Sequence, residues 1–206
     1  MAEQVIYPFW EQNKQTKPMI EDVMPHYLDG DNLKVALDFM AYLRENKIKP
    51  TWTSVQNGWS GMCKGKVLYW IRLPQVKSHL DANESPNAHF RNIKQSSGIN
   101  WTNSWIITPY FNHLDTYGDI IASEGLDNFF IENLHLCRPN CSSSVQKPGN
   151  KWCLPGVSKN LLGKEVQGIC RGDLYSTMTA WFVNPCEVKI GYIKRLLELE
   201  IQARKQ

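Results

Sequence analysis

Four of the chain's six cysteines, Cys137, Cys141, Cys153 and Cys170, fall in one stretch punctuated by Pro139, Pro148, Pro155 and several glycines. Thiolates are common ligands of a structural zinc ion, which takes four of them in a tetrahedral shell. Ligands tend to arrive as close pairs, because a short loop can aim two side chains at one ion. Cys137 and Cys141, separated by Arg-Pro-Asn, form such a pair, whereas Cys153 and Cys170 stand apart. His135, two residues before Cys137, is a substitute ligand. A zinc ribbon would carry two tight pairs, so free thiols, or thiols buried as small apolar groups, stand as the alternative; disulfides are the third. The expectation is one zinc ion on Cys137, Cys141, Cys153 and Cys170. With all four positions filled, that site is closed and structural, and it would stabilise a cysteine-rich loop block, 137–170, that builds little core of its own.

The other reactive side chains give less. Cys63 precedes a hairpin turn. Cys186 opens a helix, a position that favours a reactive thiol, against the plainer reading of a packed structural cysteine. His113 and Asp115 are close in the chain, but no nucleophile accompanies them. The glycines Gly58, Gly61 and Gly65 match neither a dinucleotide fingerprint nor a P-loop. No Gly-x-Ser-x-Gly and no His-Glu-x-x-His is present, and no carboxylate pair has the marks of a catalytic one. A second constellation is aromatic. Trp52, Trp59, Tyr69, Trp70, Trp105, Tyr110 and Trp181 fall on predicted strands, where alternation sends some to a shared face. A face lined by Trp59, Tyr69, Trp70, Trp105 and Trp181, with Arg72 as an anion anchor, has the make-up of a small-molecule pocket. The plain alternative is core packing.

The whole chain sets bounds on these readings. Its 206 residues suit one domain, and 42% apolar with 21% charged residues is ordinary for a globular protein that needs no disulfides. The net charge of +3 is too small to imply nucleic acid. Lys189, Lys194, Arg195, Arg204 and Lys205 cluster near the C-terminus and read as a solvated helix face. No basic region followed by an apolar run opens the chain, and no apolar stretch is long enough to span a membrane. The expected location is the cytoplasm, where thiols stay reduced and metal binding is favoured over disulfides.

The elements that must position these residues follow from periodicity. Residues 1–30 read as an irregular arm. Leu33, Leu37, Met40 and Leu43 predict a helix from about Asp31, its N-cap, to Asn46, with Pro50 beyond. Asn57-Gly58 predicts a tight turn, and strands follow at 59–63 and 66–73 around Lys64-Gly65. In the second of these both faces are apolar, which marks a central strand. The polar stretch 75–103 reads as an inserted loop. A strand at 105–110, helices near 114–123 and 126–137, and a strand at 175–183 come next. Ile190, Ile193, Leu196, Leu197, Leu199, Glu200 and Ile201 repeat at helical spacing and predict a last helix over 186–204.

This order fits a single α+β domain with a curved, mainly antiparallel sheet packed by helices. The run Leu33…Phe39-Met-Ala-Tyr42-Leu…Trp52…Trp59…Lys64-Gly-Lys66-Val-Leu-Tyr-Trp-Ile71, with the later cysteine block, resembles a family of small cysteine-containing bacterial proteins. The layout is similar to the YdhG-like α+β domains, across residues 31–204 without the 75–103 insertion. The cysteine block lies outside the YdhG-like pattern. The resemblance implies architecture and no mechanism. The functional expectation is a non-catalytic small-molecule-binding or interaction module stabilised by zinc. The alternatives are a thiol- or metal-dependent enzyme and a redox- or metal-sensing protein. A small-molecule ligand is the expected partner, with neither nucleic acid nor membrane.

Overall fold

The computed structural model describes residues 17–53, 58–73, 103–134, 136, 157–169 and 178–206. A short helix α1 (Ile20–Val23) and a 3-10 turn (Met24–His26) lead into helix α2 (Gly30–Glu45). Strands β1 (Thr51–Thr53), β2 (Gly58–Cys63), β3 (Lys66–Arg72) and β4 (Ile106–Phe111) follow, then helices α3 (Leu114–Ser123) and α4 (Asp127–Glu132). Next come β5 (Val157–Leu161), β6 (Lys164–Ile169), the two-residue strands β7 (Met178–Thr179) and β8 (Phe182–Val183), and helix α5 (Glu187–Lys205). Strands β1 to β4 lie in sequence order, β7 and β8 both pair with β4, and every pairing is antiparallel. The chain is an α+β protein. No helix among the described residues is long and apolar enough to cross a membrane.

Local chemistry sets the turns. Lys64 and Gly65 both have positive φ, 51° and 74°, which is the backbone of a two-residue hairpin matched to the twist of its strands. Leu162 and Gly163 repeat it, at 53° and 76°, between β5 and β6. That second hairpin corrects the loop expectation for part of the 137–170 block: Leu161, Val166 and Ile169 are buried, so the segment contributes core. Gly58 is a strand residue paired with Thr53, and Asn57 lies outside the described residues, as do 1–16 of the expected arm and 75–102 of the expected insertion. Residues 17–30 hold helical turns with Ile20, Val23, Met24 and Leu28 buried, so that part of the arm is regular.

Three boundaries move for physical reasons. Helix α2 starts one turn-position earlier than Asp31, with Asp29 as N-cap, and Asp29 is held by Asn103: its amide donates to the Asn103 Oδ1 at 2.9 Å. Helix α4 stops at Glu132, short of 137, where Asn133 Nδ2 folds back on the Phe129 carbonyl at 2.8 Å. Leu134 and Leu136, past the helix end, form isolated β-bridges to Ala180 and Ile169. The predicted strand 175–183 is split in its described part. The pairings Ile106–Val183, Ile107–Phe182, Tyr110–Thr179 and Phe111–Met178 keep one register, but the ladder lapses opposite Pro109. Proline has no N–H to give to it, and Ala180 and Trp181 turn instead to α4, where the Trp181 amide donates to the Asn133 carbonyl at 2.8 Å.

One face of the sheet carries the main core. Phe39 of α2 reaches Trp105 at 6.1 Å between ring centroids, Phe130 of α4 meets Phe111 edge-on at 5.1 Å, and Phe129 stacks on Phe182 at 5.2 Å. Helix α5 buries Ile190, Ile193, Leu196, Leu197 and Leu199. Each such side chain contributes about 1.5–3 kcal/mol, so α5 is a principal wall of the core.

Candidate functional site

The register assigns each sequence-predicted aromatic to a face. One row across the sheet runs Trp52–Trp59–Ile71–Ile107–Phe182 and faces the helices. Tyr69, two residues from Ile71, shares that face, as does Trp105, two before Ile107. Trp59, Tyr69 and Trp105 are fully buried. The Trp59 indole donates to the Pro18 carbonyl at 2.9 Å, and the Tyr69 hydroxyl to the Ile48 carbonyl at 2.6 Å. Burial pushes the Tyr69 phenol well above its ordinary range. These three rings are part of the core cluster.

Trp70, Arg72 and Trp181 lie on the opposite, outer face. There a second row runs Thr51–Ser60–Trp70–Thr108, and Trp181, which adjoins the inward-facing Phe182, lies between β7 and β8, outside the ladder to β4. The neighbouring row runs Thr53–Gly58–Arg72–Ile106–Val183. The six residues grouped by sequence therefore divide evenly between two faces. On the outer face Trp70 and Trp181 are half-buried, while Ser60, Ile106 and Thr108 are buried. The Arg72 guanidinium lies over the Trp70 ring at 5.3 Å from its centroid, a cation–π contact. Thr108 is 2% exposed, and its hydroxyl has no hydrogen-bond partner among the described residues. Buried hydroxyls are nearly always paired, so an orphan calls for an ordered water, an ion or a bound group as its partner. The sequence supplied Trp70, Arg72 and Trp181 for this face but not Ser60 or Thr108. The signal that finds the last two is a hydroxyl residue inside an apolar strand.

A second cluster is built on α5. Glu200 is fully buried and accepts four hydrogen bonds. One oxygen, Oε1, takes His113 Nδ1 at 3.0 Å and Arg204 Nε at 2.7 Å. The other, Oε2, takes the Tyr117 hydroxyl at 2.7 Å and the His113 amide at 3.2 Å. Arg204 continues to the carbonyls of Val67, at 3.0 Å, and Tyr110, at 3.2 Å. Its side chain is 2% exposed, which corrects its place in the solvated basic face. The carboxylate thus ties α5 to the start of α3, and Arg204 ties α5 to β3 and β4. With Nδ1 donating to a carboxylate, the half-exposed His113 ring offers Nε2 as an acceptor, the orientation used by general bases and metal ligands. Among the described residues no hydroxyl or thiol is hydrogen-bonded to that ring.

The electrostatics of the cluster give a pH prediction. Burial disfavours the Glu200 carboxylate, but the bonds from His113, Tyr117 and Arg204 outweigh it and hold its pKa below the ordinary 4.5. Burial, and then the Glu200 charge, pushes the Tyr117 phenol far above its ordinary range. Because the folded value for Glu200 is depressed, its contribution to stability is present above the unfolded value. It is lost as pH falls through the folded one. The urea midpoint of the wild-type chain should therefore fall as pH is lowered below 4.5. A Glu200→Gln variant should lose less over the same interval, and parallel curves for the two proteins would contradict this account.

The four cysteines proposed as zinc ligands, and His135, lie outside the described residues. Leu136 and Ile169, which precede Cys137 and Cys170 in the chain, form an antiparallel bridge. Cys63 is buried and Cys186 is exposed, both as free thiols. Cys186 is the N-cap of α5 without a side-chain capping bond, so the backbone Ile190 amide to Cys186 carbonyl bond at 2.9 Å opens the helix. No protein-family model, no curated protein and no solved structure matches this chain.

Proposed function

We propose that this chain is a non-catalytic small-molecule-binding module whose ligand site is the outer face of the sheet, around Trp70, Arg72, Thr108 and Trp181. The single observation that carries the reading is the buried Thr108 hydroxyl, left without a partner directly opposite Trp70 in the β3–β4 register. A mostly apolar surface with a few placed polar groups is the usual make-up of a ligand site. Trp59, Tyr69 and Trp105 serve the same site from behind, as the packed layer that keeps the strands rigid. A thermal-shift screen across chemically diverse compounds tests the reading. At least one class should raise the melting temperature, and Trp70→Ala should abolish the shift while the unliganded protein still melts cooperatively. A screen with no stabilising class would end it.

The zinc ion belongs to the same proposal. Cys137, Cys141, Cys153 and Cys170 would hold it as a closed structural site in a reducing, cytoplasmic setting. Support comes from the Leu136–Ile169 bridge, which joins the chain leading into the first of these thiols to the chain leading into the last. Elemental analysis of protein purified without added metal should find about one zinc per chain, the complement of one four-thiolate site. Four thiols should then resist titration until a chelator is added. Metal-free protein with six freely titrating thiols would remove the zinc.

A further inference from the structure

Helix α5 carries a second stripe besides the one it buries. Val188, Gly191, Tyr192 and Arg195 recur at the i, i+3, i+4, i+7 spacing of one helix face. Val188 is 63% exposed and Tyr192 is 40% exposed. The Tyr192 ring meets Phe129 of α4 edge-on, at 5.1 Å between centroids, so one neighbour holds it in place. Gly191 is the odd residue of the stripe. Glycine weakens a helix interior, so its presence there calls for a reason in the backbone or in packing. The backbone gives none, because position 191 is ordinary right-handed helix. Packing within the chain gives none either: a Cβ at Gly191 would meet nothing within 4 Å.

The stripe is complementary to itself. A second copy, turned antiparallel about a two-fold axis between Gly191 and Tyr192, sets its tyrosine level with the glycine and its valine level with the Arg195 stem. The tall ring then meets the open position twice. Charge selects the same arrangement. Glu187 and Lys194, seven residues apart, run along one edge of the stripe with opposite signs. Antiparallel copies bring each Glu187 beside the partner's Lys194, whereas parallel copies set like charges level. The present contact of Lys194, with Asp38 at 2.9 Å, has an exposed carboxylate and is worth little in water. Arg195, the one charge inside the stripe, is neutralised in its own chain by Glu124 at 2.8 Å and Glu198 at 3.6 Å. Two copies therefore do not repel there.

We propose that this chain forms a two-fold symmetric dimer through antiparallel contact of α5 with the α5 of a second copy, each Tyr192 seated over the partner's Gly191. Helix α5 packs on the inner side of the sheet, so the dimer leaves both outer sheet faces open. The contact is one helix wide, with Phe129 beside it. That is small for a stable interface, so dimerisation is expected only at micromolar concentrations and above.

Sedimentation equilibrium of the full chain from about 1 µM to about 500 µM tests the dimer. The wild-type chain should pass from monomer to dimer over that range. Gly191→Gln should weaken dimerisation at least about tenfold. Because glutamine is the better helix former at an open position, the same variant should raise the urea midpoint of the dilute monomer. A dimer lost in this variant is therefore not lost through the fold. Glu187→Lys should weaken dimerisation about tenfold, as two like-charge contacts replace two ion pairs. The double variant Glu187→Lys/Lys194→Glu should restore it. A chain that stays monomeric at every concentration would overturn the proposal. So would a dimer that tolerates Gly191→Gln, or one that the second charge reversal fails to restore.

Discussion

Replacing Glu200 by glutamine is expected to destabilise the chain by about 3–5 kcal/mol, the usual cost of breaking a buried charge pair from one side. All four groups that meet this carboxylate, His113 Nδ1, the His113 amide, the Tyr117 hydroxyl and Arg204 Nε, are hydrogen-bond donors as arranged. A carboxylate accepts on both oxygens, whereas a glutamine amide turns an NH2 towards two of those donors. The Tyr117 hydroxyl can rotate and the His113 tautomer can change, which would satisfy one contact. The Arg204 guanidinium cannot lose its charge, and its side chain is 2% exposed. It would be left buried and unpaired. Urea unfolding of the single variant, of Arg204→Leu and of the double variant Glu200→Leu/Arg204→Leu measures the coupling. The double variant should recover part of the loss, because an apolar pair can replace a buried ion pair. Recovery will be incomplete, since the carbonyls of Val67 and Tyr110 also lose the Arg204 donor. A cost for Glu200→Gln below about 1 kcal/mol, the worth of one ordinary neutral hydrogen bond, would show that no buried charge pair is at stake.

Glu200 also marks where sequence reading stops. It falls in the helical repeat of Ile193, Leu196 and Leu197, and a glutamate in that stripe with Arg204 four residues on was a visible sign of a buried pair. Nothing in the sequence connects it to His113, 87 residues away. The helices at 30–45 and 187–205 and the Lys64-Gly65 hairpin were legible because each rests on local periodicity or on local φ. The faces of β3 were not legible. Val67, Tyr69 and Ile71 alternate with Leu68 and Trp70, both sets apolar, so period alone cannot say which side meets the helices. Pairing decided it: Trp59 falls across from Ile71, and Ser60 and Thr108 fall on either side of Trp70. The break between β7 and β8 was in the sequence as Pro109, but its effect is felt on a neighbouring strand, and only the register reveals which residue it faces. The same holds for Asn184. Its Oδ1 accepts from the Trp105 amide at 2.9 Å and its Nδ2 donates to Ser104 Oγ at 3.0 Å. The turn it forms with Pro185 is local, whereas the strand end it closes is distant in the chain.

Adding one methyl group at Gly61 is expected to be as damaging as losing the Glu200 charge. Gly61 pairs directly with Tyr69 across β2 and β3, and the hydroxyl end of the Tyr69 ring occupies the space where a Cβ would stand. A Cβ built there would overlap Cε1 and Cζ of that ring. The ring has little room to retreat. It is fully buried, and its hydroxyl is held by the Ile48 carbonyl at 2.6 Å, beyond the end of α2. To admit the methyl, the ring must break that bond and move into a packed core, or β2 must move away from β3. Overpacking usually costs about 1–3 kcal/mol, and Gly61→Ala should lie at or above the top of that range. Urea denaturation gives the number, and a double-mutant cycle gives its cause. Tyr69→Leu removes the ring, so it will be destabilising by itself, but in that background Gly61→Ala should cost less than half as much. Sites in direct contact are where such non-additivity is expected. Additive costs would mean that the alanine acts through backbone conformation and not through the ring. The glycine would then be required by the irregular pairing between Gly61 and Met62, where β2 shifts register against β3.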